Sequence, residues 1–480
     1  MPFPFCSLSS YFLSQMHNMV LVSSSSSPSV VFRVKRYQPE LVAPATPTPQ
    51  EVKLLSDIDD QEVLRFHIHN IYIYRHNPSM EGKDPVKVIR DALSRTLVFY
   101  YPFAGRLREG HGRKLMVDCT AEGVLFIEAD ADVTLDQFGE ALETPFPFSK
   151  ELLYNVPGSD GIVGCPLLLI QVTRFKCGGF TLGIRVNHTM CDGTGFTQFT
   201  IALGEMARGA HQPSVLPIWQ RDLLSARNPP RITCNHREFE QVEDIKEWET
   251  IISCNGNMIT RSFFFGPTEI ASLRCLVLNN NHQLGEEYTR FELITACLWY
   301  CLAKALQLSP EKQVRLCCAV NGRERFNPPM PIGYYGNVIS SPAAVITVKN
   351  LCEDPFECVV KLIKKAKAEA TEEYMRSLAD LMVIKGRPIN TRAWSFLVSK
   401  LTRIGFRKVD FGWGDPVYGG PIVGNIFGEL YLNDYENANG EEGVLVPIYL
   451  PANAMGRFAK EFDDFLRKPN QPTIIGRSKI

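Results

Sequence analysis

The chain has no Cys-x-x-Cys pair, no His/Cys grouping at zinc spacing, no P-loop and no apolar run that approaches a bilayer span. Its 14 cysteines are scattered, with Cys297 and Cys301 one helical turn apart and Cys317 and Cys318 adjacent. That pattern suits free thiols in a reducing compartment. The longest apolar stretch, around Leu167 to Val172, falls far short of the roughly 20 residues of a spanning helix. An excess of one charge sign is also missing, since 51 Lys plus Arg face 52 Asp plus Glu. This balance leaves no electrostatic footprint for nucleic acid or an anionic membrane. The expected partners are small molecules, with no nucleic acid and no membrane insertion, for a monomeric cytoplasmic protein. Residues 1–28 lack Lys and Arg, which excludes a secretory signal with a basic leading region and an Arg-rich transit peptide. They are expected to be a disordered extension, with Met19 as an alternative start. The final Ser478-Lys479-Ile480 differs by one residue from the peroxisomal Ser-Lys-Leu address.

What is present is a globular balance, 45% hydrophobic and 21% charged over 480 residues, too long for one ordinary core and suited to two domains. Asp84-Pro85 starts a helix whose buried face is Val86, Ile89, Leu93 and Leu97. Leu167–Phe175 and Phe180–Asn187 are strand-like around the turn Cys177-Gly178-Gly179, which predicts a hairpin. Phe196, Phe199, Leu203 and Met206 then have helical spacing up to Gly209. The proline-rich, aperiodic segment 209–235 reads as a connection between domains 29–208 and 236–480. In the second half, strands are expected at Ser262–Phe265, Val314–Asn321 and Gly443–Leu450. Helices are expected at Pro267–Cys275, Phe291–Leu306 and Glu357–Ile384, and from Glu461 onward.

The segment Asn187-His188-Thr189-Met190-Cys191-Asp192-Gly193 places a histidine at a strand exit, just ahead of a helix N-terminus. The positive end of that helix disfavours imidazolium, so His188 is expected to be a neutral proton acceptor near pH 7. Asp192 either orients His188 or caps the helix and pairs with an arginine elsewhere; its position at the helix start favours the cap. Gly193 and Gly195 leave space beside the histidine for a long substrate, or simply form a turn. Asp410-Phe411-Gly412-Trp413-Gly414 reads as a tight packed loop whose aspartate wants a cation, with Arg323 as a candidate. Other patterns fail. Pro157-Gly158-Ser159-Asp160-Gly161 has proline where a nucleophile elbow needs glycine, and Gly110-His111-Gly112 lacks the third glycine of a dinucleotide loop. His67 and His69 alternate as in a strand, without a third metal ligand.

With His188-x-x-x-Asp192-Gly193 and Asp410-Phe411-Gly412-Trp413-Gly414 in this order, the chain resembles the plant BAHD acyltransferases, and among them the alcohol acyltransferases of fruits and flowers and the benzyl alcohol benzoyltransferases. Leu55-Ser56-Asp57-Ile58-Asp59 and Tyr334-Tyr335-Gly336-Asn337 add to the resemblance, which runs from about Val31 onward. It implies an α/β (α+β) fold of two chloramphenicol-acetyltransferase-like domains, each a mixed sheet flanked by helices, with a channel between them that His188 faces. It implies transfer of an acyl group from acyl-CoA, a substrate, to a small alcohol, with His188 as general base and no cofactor or metal. An amine acceptor, or a non-catalytic ligand-binding member, are the alternatives. Asp192 would then be structural, the aspartate of the Asp410–Gly414 loop would pair with Arg323, and Trp413 and Thr402 are candidate oxyanion donors. Ser399-Lys400-Leu401-Thr402-Arg403 departs from the family's more usual Ser-Asp-x-Thr-Arg.

Overall fold

In the strand Phe180–Asn187 every second side chain, Phe180, Leu182, Ile184 and Val186, enters one hydrophobic core, while Thr181, Gly183, Arg185 and Asn187 face the other side. The computed structural model describes residues 32–138, 148–241, 245–253, 257–278, 288–390, 392–402, 404–422, 426–437 and 439–467. The expected extension 1–28, Arg403 and the terminal Ser478-Lys479-Ile480 lie outside the described residues. No helix among the described residues is long and apolar enough to cross a membrane.

The first sheet has seven strands, in the order Val34–Arg36, Val124–Ala131, Leu168–Arg174, Phe180–Asn187, His67–Tyr74 and Tyr418–Pro421, with Glu40–Val42 also on Val124–Ala131. The expected hairpin forms, pairing Leu168–Arg174 antiparallel with Phe180–Asn187. The helix Pro85–Phe99 starts where its sequence places it: the Asp84 carboxylate accepts from the Val86 amide at 3.2 Å and proline fills the first turn. It packs with the helix Gly193–Ala207 on one face of this sheet. The second sheet, also of seven strands, runs Met258–Phe265, Glu442–Pro451, Glu429–Glu436, Ser395–Lys400, Gln313–Asn321 and Ile339–Ser340, with Ala343–Thr347 on Gln313–Asn321. It carries a separate core that holds the almost wholly buried helix Arg290–Ala305. Each sheet mixes parallel and antiparallel pairs.

Three features depart from the expected layout. Glu357–Ile384 is two helices, Phe356–Ala368 and Glu372–Ile384, because extended Thr371 caps the second and accepts from the Tyr374 amide at 3.2 Å. The segment 209–235 is pinned rather than bare: Ile218 bridges Tyr334, and a short 3-10 helix at Arg221–Leu224 carries a buried arginine. The second half also returns a strand to the first sheet. Tyr418–Pro421 pairs with His67–Tyr74, and Phe411 and Trp413 join the first core.

Candidate active site

His188 follows directly on the strand Phe180–Asn187, and its main chain is held from both sides. Its amide donates to the Phe66 carbonyl at 2.9 Å, and its own carbonyl accepts from Asn337 Nδ2 at 2.9 Å. The ring packs edge-on against Phe66 with centroids 5.1 Å apart. Nδ1 is sealed from solvent without a hydrogen-bond partner, yet the residue as a whole is only half-buried. Burial pushes the imidazole below its ordinary value, and the opposing pull of its own backbone, Asp192 and Asn337 does not restore it. His188 is therefore neutral at pH 7, with the unsealed side of its ring open to a small molecule.

The turn after His188 is fixed by residues distant in sequence. Asn187 Oδ1 accepts from the Thr189 amide at 3.1 Å and hydroxyl at 2.8 Å. Arg221 Nη2 donates to the Met190 carbonyl at 2.7 Å, and its Nη1 donates to both carboxylate oxygens of Asp59 at 3.1 Å. Asp59 also accepts from the Asn337 amide at 2.9 Å and side chain at 2.8 Å. One buried network thus binds the Leu55–Asp59 segment, the 209–235 connection, the histidine turn and Tyr334–Asn337. Arg221 stacks over Trp219 and Tyr335, at 4.5 and 4.8 Å from the ring centres.

Asp192 both caps and pairs. One carboxylate oxygen accepts from the Gly195 amide at 2.9 Å; the other takes the Val338 amide at 3.0 Å and Arg323 Nη1 at 2.7 Å. Burial alone would raise this carboxyl, but the Arg323 charge and these hydrogen bonds outweigh it and hold it below the usual carboxylate range. Its hydrogen bonds all run to the backbone and Arg323, and the ring of His188 is not among its partners. Arg323 is consequently not the partner of Asp410. Asp410 lies 3.8 Å from Arg208 and accepts from the amides of Gly412 and Gly414 at 2.7 and 2.8 Å, closing its own loop.

Two further expectations change. Trp413 packs on Phe180, ring centroids 5.1 Å apart, at the end of its strand remote from His188. Eight residues of extended chain separate Phe180 from His188, about 25 Å, which leaves Trp413 too far away to bind an oxyanion there. Thr402 instead lies in the loop whose Ile404 would meet a side chain at Gly193 at 3.1 Å. The space left by the glycines is filled by protein and not by a channel. A Cβ on Gly195 would sit 1.9 Å from the Tyr335 carbonyl oxygen.

That close approach gives a direct expectation. Gly195→Ala must push the helix off Tyr335, costing about 1–3 kcal/mol and displacing the Asp192 cap. Gly456→Ala, in the helix Ala452–Arg467 with nothing within 4 Å of a new Cβ, should be stabilising by up to about 1 kcal/mol. Thermal melts of the two variants should move in opposite directions; equal shifts would mean that the Tyr335 contact is not tight.

Two further histidines lie on the neighbouring strand, where register sets His67 beside Asn187 and His69 beside Arg185. Burial, reinforced by the Arg185 charge, depresses His67 to about 3 and His69 to about 4. Both stay neutral in the folded protein, while an unfolded chain takes up protons below about pH 6.5. Folded stability is therefore expected to be full above that pH and to fall as pH drops through 6.5 towards 4 and 3. Urea titrations of the wild type and His69→Gln should show a shallower acid slope in the variant; identical slopes would contradict the neutral assignment.

Asp59, Arg221 and Asn337 were not singled out as a site by sequence reasoning. Leu55–Asp59 and Tyr334–Asn337 stand out as motifs, but nothing in their spacing shows that they meet. Arg221 sits inside the proline-rich connection, where the one signal is its neighbour Trp219.

A model of the Transferase family matches residues 32–465. The chain is 55% identical to benzyl alcohol O-benzoyltransferase of Petunia hybrida over 451 residues, covering 93% of this chain and 96% of that protein. It is 52% identical to alcohol acyl transferase 1 allele GSa of Malus domestica, covering 92% and 96% of the two chains. It is also 52% identical to 13-hydroxylupanine O-tigloyltransferase of Lupinus albus, covering 94% and 99%. Among solved structures, vinorine synthase superposes with a TM-score of 0.69 at 24% identity, over 90% of this chain and 98% of that one. F. sporotrichioides TRI101 complexed with coenzyme A and T-2 superposes with a TM-score of 0.67 at 17% identity, over 86% of this chain and 98% of that one.

Proposed function

Because the chain belongs to the Transferase family, the BAHD acyltransferases, we propose that it is an acyl-CoA-dependent alcohol O-acyltransferase with His188 as its general base. The observation that carries the assignment is a part-exposed imidazole, kept neutral by burial, whose main chain is clamped by Phe66 and Asn337. His188 takes the proton of the acceptor hydroxyl as the oxygen attacks the thioester carbonyl. The tetrahedral oxyanion collapses, the carbon–sulfur bond breaks, and imidazolium returns the proton to the departing coenzyme A thiolate. The thioester is already activated, so the reaction as written draws on no further cofactor. Base catalysis supplies about 10² to 10⁴ in rate; holding both substrates against one nitrogen supplies more. Thr402 is our candidate for the oxyanion donor, since its loop packs beside the helix that begins at Gly193.

The curated relatives named above are O-acyltransferases, two of them acting on alcohols by name, which supports an alcohol acceptor and a benzoyl or short branched acyl donor. The test is incubation of the purified protein with benzoyl-CoA, other acyl-CoAs and a panel of alcohols and amines, reading released thiol and identifying the product by mass. Thiol release with ester formation supports the reading. Amide in place of ester would move the assignment to an amine acceptor, and acyl-CoA binding without turnover would leave only a binding role.

A further inference from the structure

One face of the second sheet is turned away from its core. Along Ser395–Lys400 the side chains of Phe396 and Val398 enter that core, and along Glu429–Glu436 those of Leu430 and Leu432 do the same. Strand alternation sends Ser395, Leu397, Ser399, Glu429 and Tyr431 to the other face. All five are half-buried, and Leu397 and Tyr431 join none of the hydrophobic cores among the described residues. A packed layer would seal such a row and an outer surface would leave it exposed; a row that is intermediate on two adjacent strands is the wall of a cleft.

Register places this wall beside the histidine turn. Leu397 lies next to Glu429 and Ser399 next to Tyr431, with Cys317 and Ala319 on the far side of the same row. Asn321, which follows Ala319 on that face, donates from Nδ2 to Thr194 Oγ1 at 3.3 Å. Ile404, in the loop after Ser395–Lys400, stands 3.1 Å from where a Cβ on Gly193 would lie. The wall thus runs up to the first turn of the helix that follows His188, and the negative charge of Glu429 acts on the imidazole.

Glu429 carries a carboxylate into this cleft that the acyl-transfer chemistry does not use. Its side chain is 10% exposed; Oε2 accepts from the Tyr431 hydroxyl, and Oε1 lies 3.3 Å from Arg392 Nη2. Arg392 is itself 58% exposed, and an ion pair with so exposed a partner contributes little, so a cation arriving in the cleft can take its place. Arg315, on the same face, donates instead to the carbonyls of Glu238 and Glu240. We propose that Glu429 is a substrate-binding residue whose carboxylate pairs with a cationic nitrogen, a protonated amine, carried by the acceptor alcohol apart from its reacting hydroxyl. This deepens the acyl-transfer reading and rests on it. A benzoyl or short branched acyl group carries no positive charge, which places the cation on the acceptor. An amino alcohol is then held at two points, its hydroxyl at His188 and its ammonium at Glu429, and a plain alkanol at one.

The experiment measures kcat/KM at neutral pH for alkanols of increasing chain length that end in a dimethylamino group, each against the isosteric alkanol ending in an isopropyl group. A tertiary amine forms no amide, so ester is the product from both. At the best chain length the wild type should prefer the amine, and the ratio of amine to isostere should fall about ten-fold in Glu429→Gln, the size expected for one lost bond to a charged group. Taking the ratio cancels whatever the Glu429 charge does to His188, since both alcohols use the same base. Arg392→Gln, which removes the competing cation, should raise the ratio. A ratio that Glu429→Gln leaves unchanged at every chain length would overturn the proposal. Should Glu429→Gln not fold, Arg392→Gln decides, and a ratio equal to that of the wild type then overturns it. Absence of any thiol release by the wild type would sink the acyl-transfer reading, whereas turnover with unchanged ratios sinks only the subsite.

Discussion

His188→Ala is expected to lower kcat/KM by about 10² to 10⁴-fold while the melting temperature moves by no more than a few degrees. The two halves of this expectation come from different atoms. The hydrogen bonds that fix the residue use its main-chain amide and carbonyl, to Phe66 and Asn337, and alanine keeps both. The ring contributes an edge contact with Phe66 and a sealed Nδ1 that no group satisfies, so its loss removes little that stabilises the fold. What alanine cannot replace is the basic lone pair. His188→Gln should be as inactive, because an amide of similar reach has no basic nitrogen. Steady-state thiol release and a thermal melt on the same samples decide the matter, and a fully active alanine variant would end the base assignment.

Arg221→Met should be the most destabilising single change at the site. Arg221 is 2% exposed and Asp59 wholly buried, and their pair is tied into the Met190 carbonyl and the Asn337 amide. Methionine fills much of the arginine's volume but leaves the Asp59 carboxylate buried without its cation. Removing one member of such a pair costs about 3–5 kcal/mol. Asp59→Asn combined with Arg221→Met should recover a good part of that loss, since no charge is then stranded. Gly336→Ala offers an independent check, because its Cβ would fall 1.4 Å from Arg221 Nη1 and must evict the guanidinium. Urea denaturation of the three variants should rank the double variant above Arg221→Met; a double variant as unstable as the single one would show that the pair is not the source of the stability.

How far the sequence was legible follows from what kind of interaction fixes each part. Elements set by local chemistry stood out: the Asp84-Pro85 helix start, the strand pair around Gly178, and the helix after Asp192 each carry their cap, turn or periodicity in a few adjacent residues. The position of His188 at a strand exit is of this kind. Long-range pairings were not legible. Asp192 and Asp410 are both aspartates in short glycine-bearing motifs that want a cation, and nothing local shows that Arg323 goes to the first and Arg208 to the second. Gly195 had a close packing partner, Tyr335, 140 positions away, so its missing side chain was open to being read as room for a ligand. Arg221 lay in a segment whose prolines suppress periodicity, and its role depends on Asp59, Met190 and Tyr335 arriving from three other regions.

The pH dependence of kcat/KM in the wild type tests the neutral, enclosed base most directly. Only the unprotonated imidazole accepts the hydroxyl proton, so activity should rise with pH and level off. Burial lowers the His188 value, which places the inflection below the ordinary histidine value of about 6.5 and leaves the rate flat through neutrality. An inflection at or above that value, in a protein shown to be folded across the range, would contradict a base kept neutral by its surroundings.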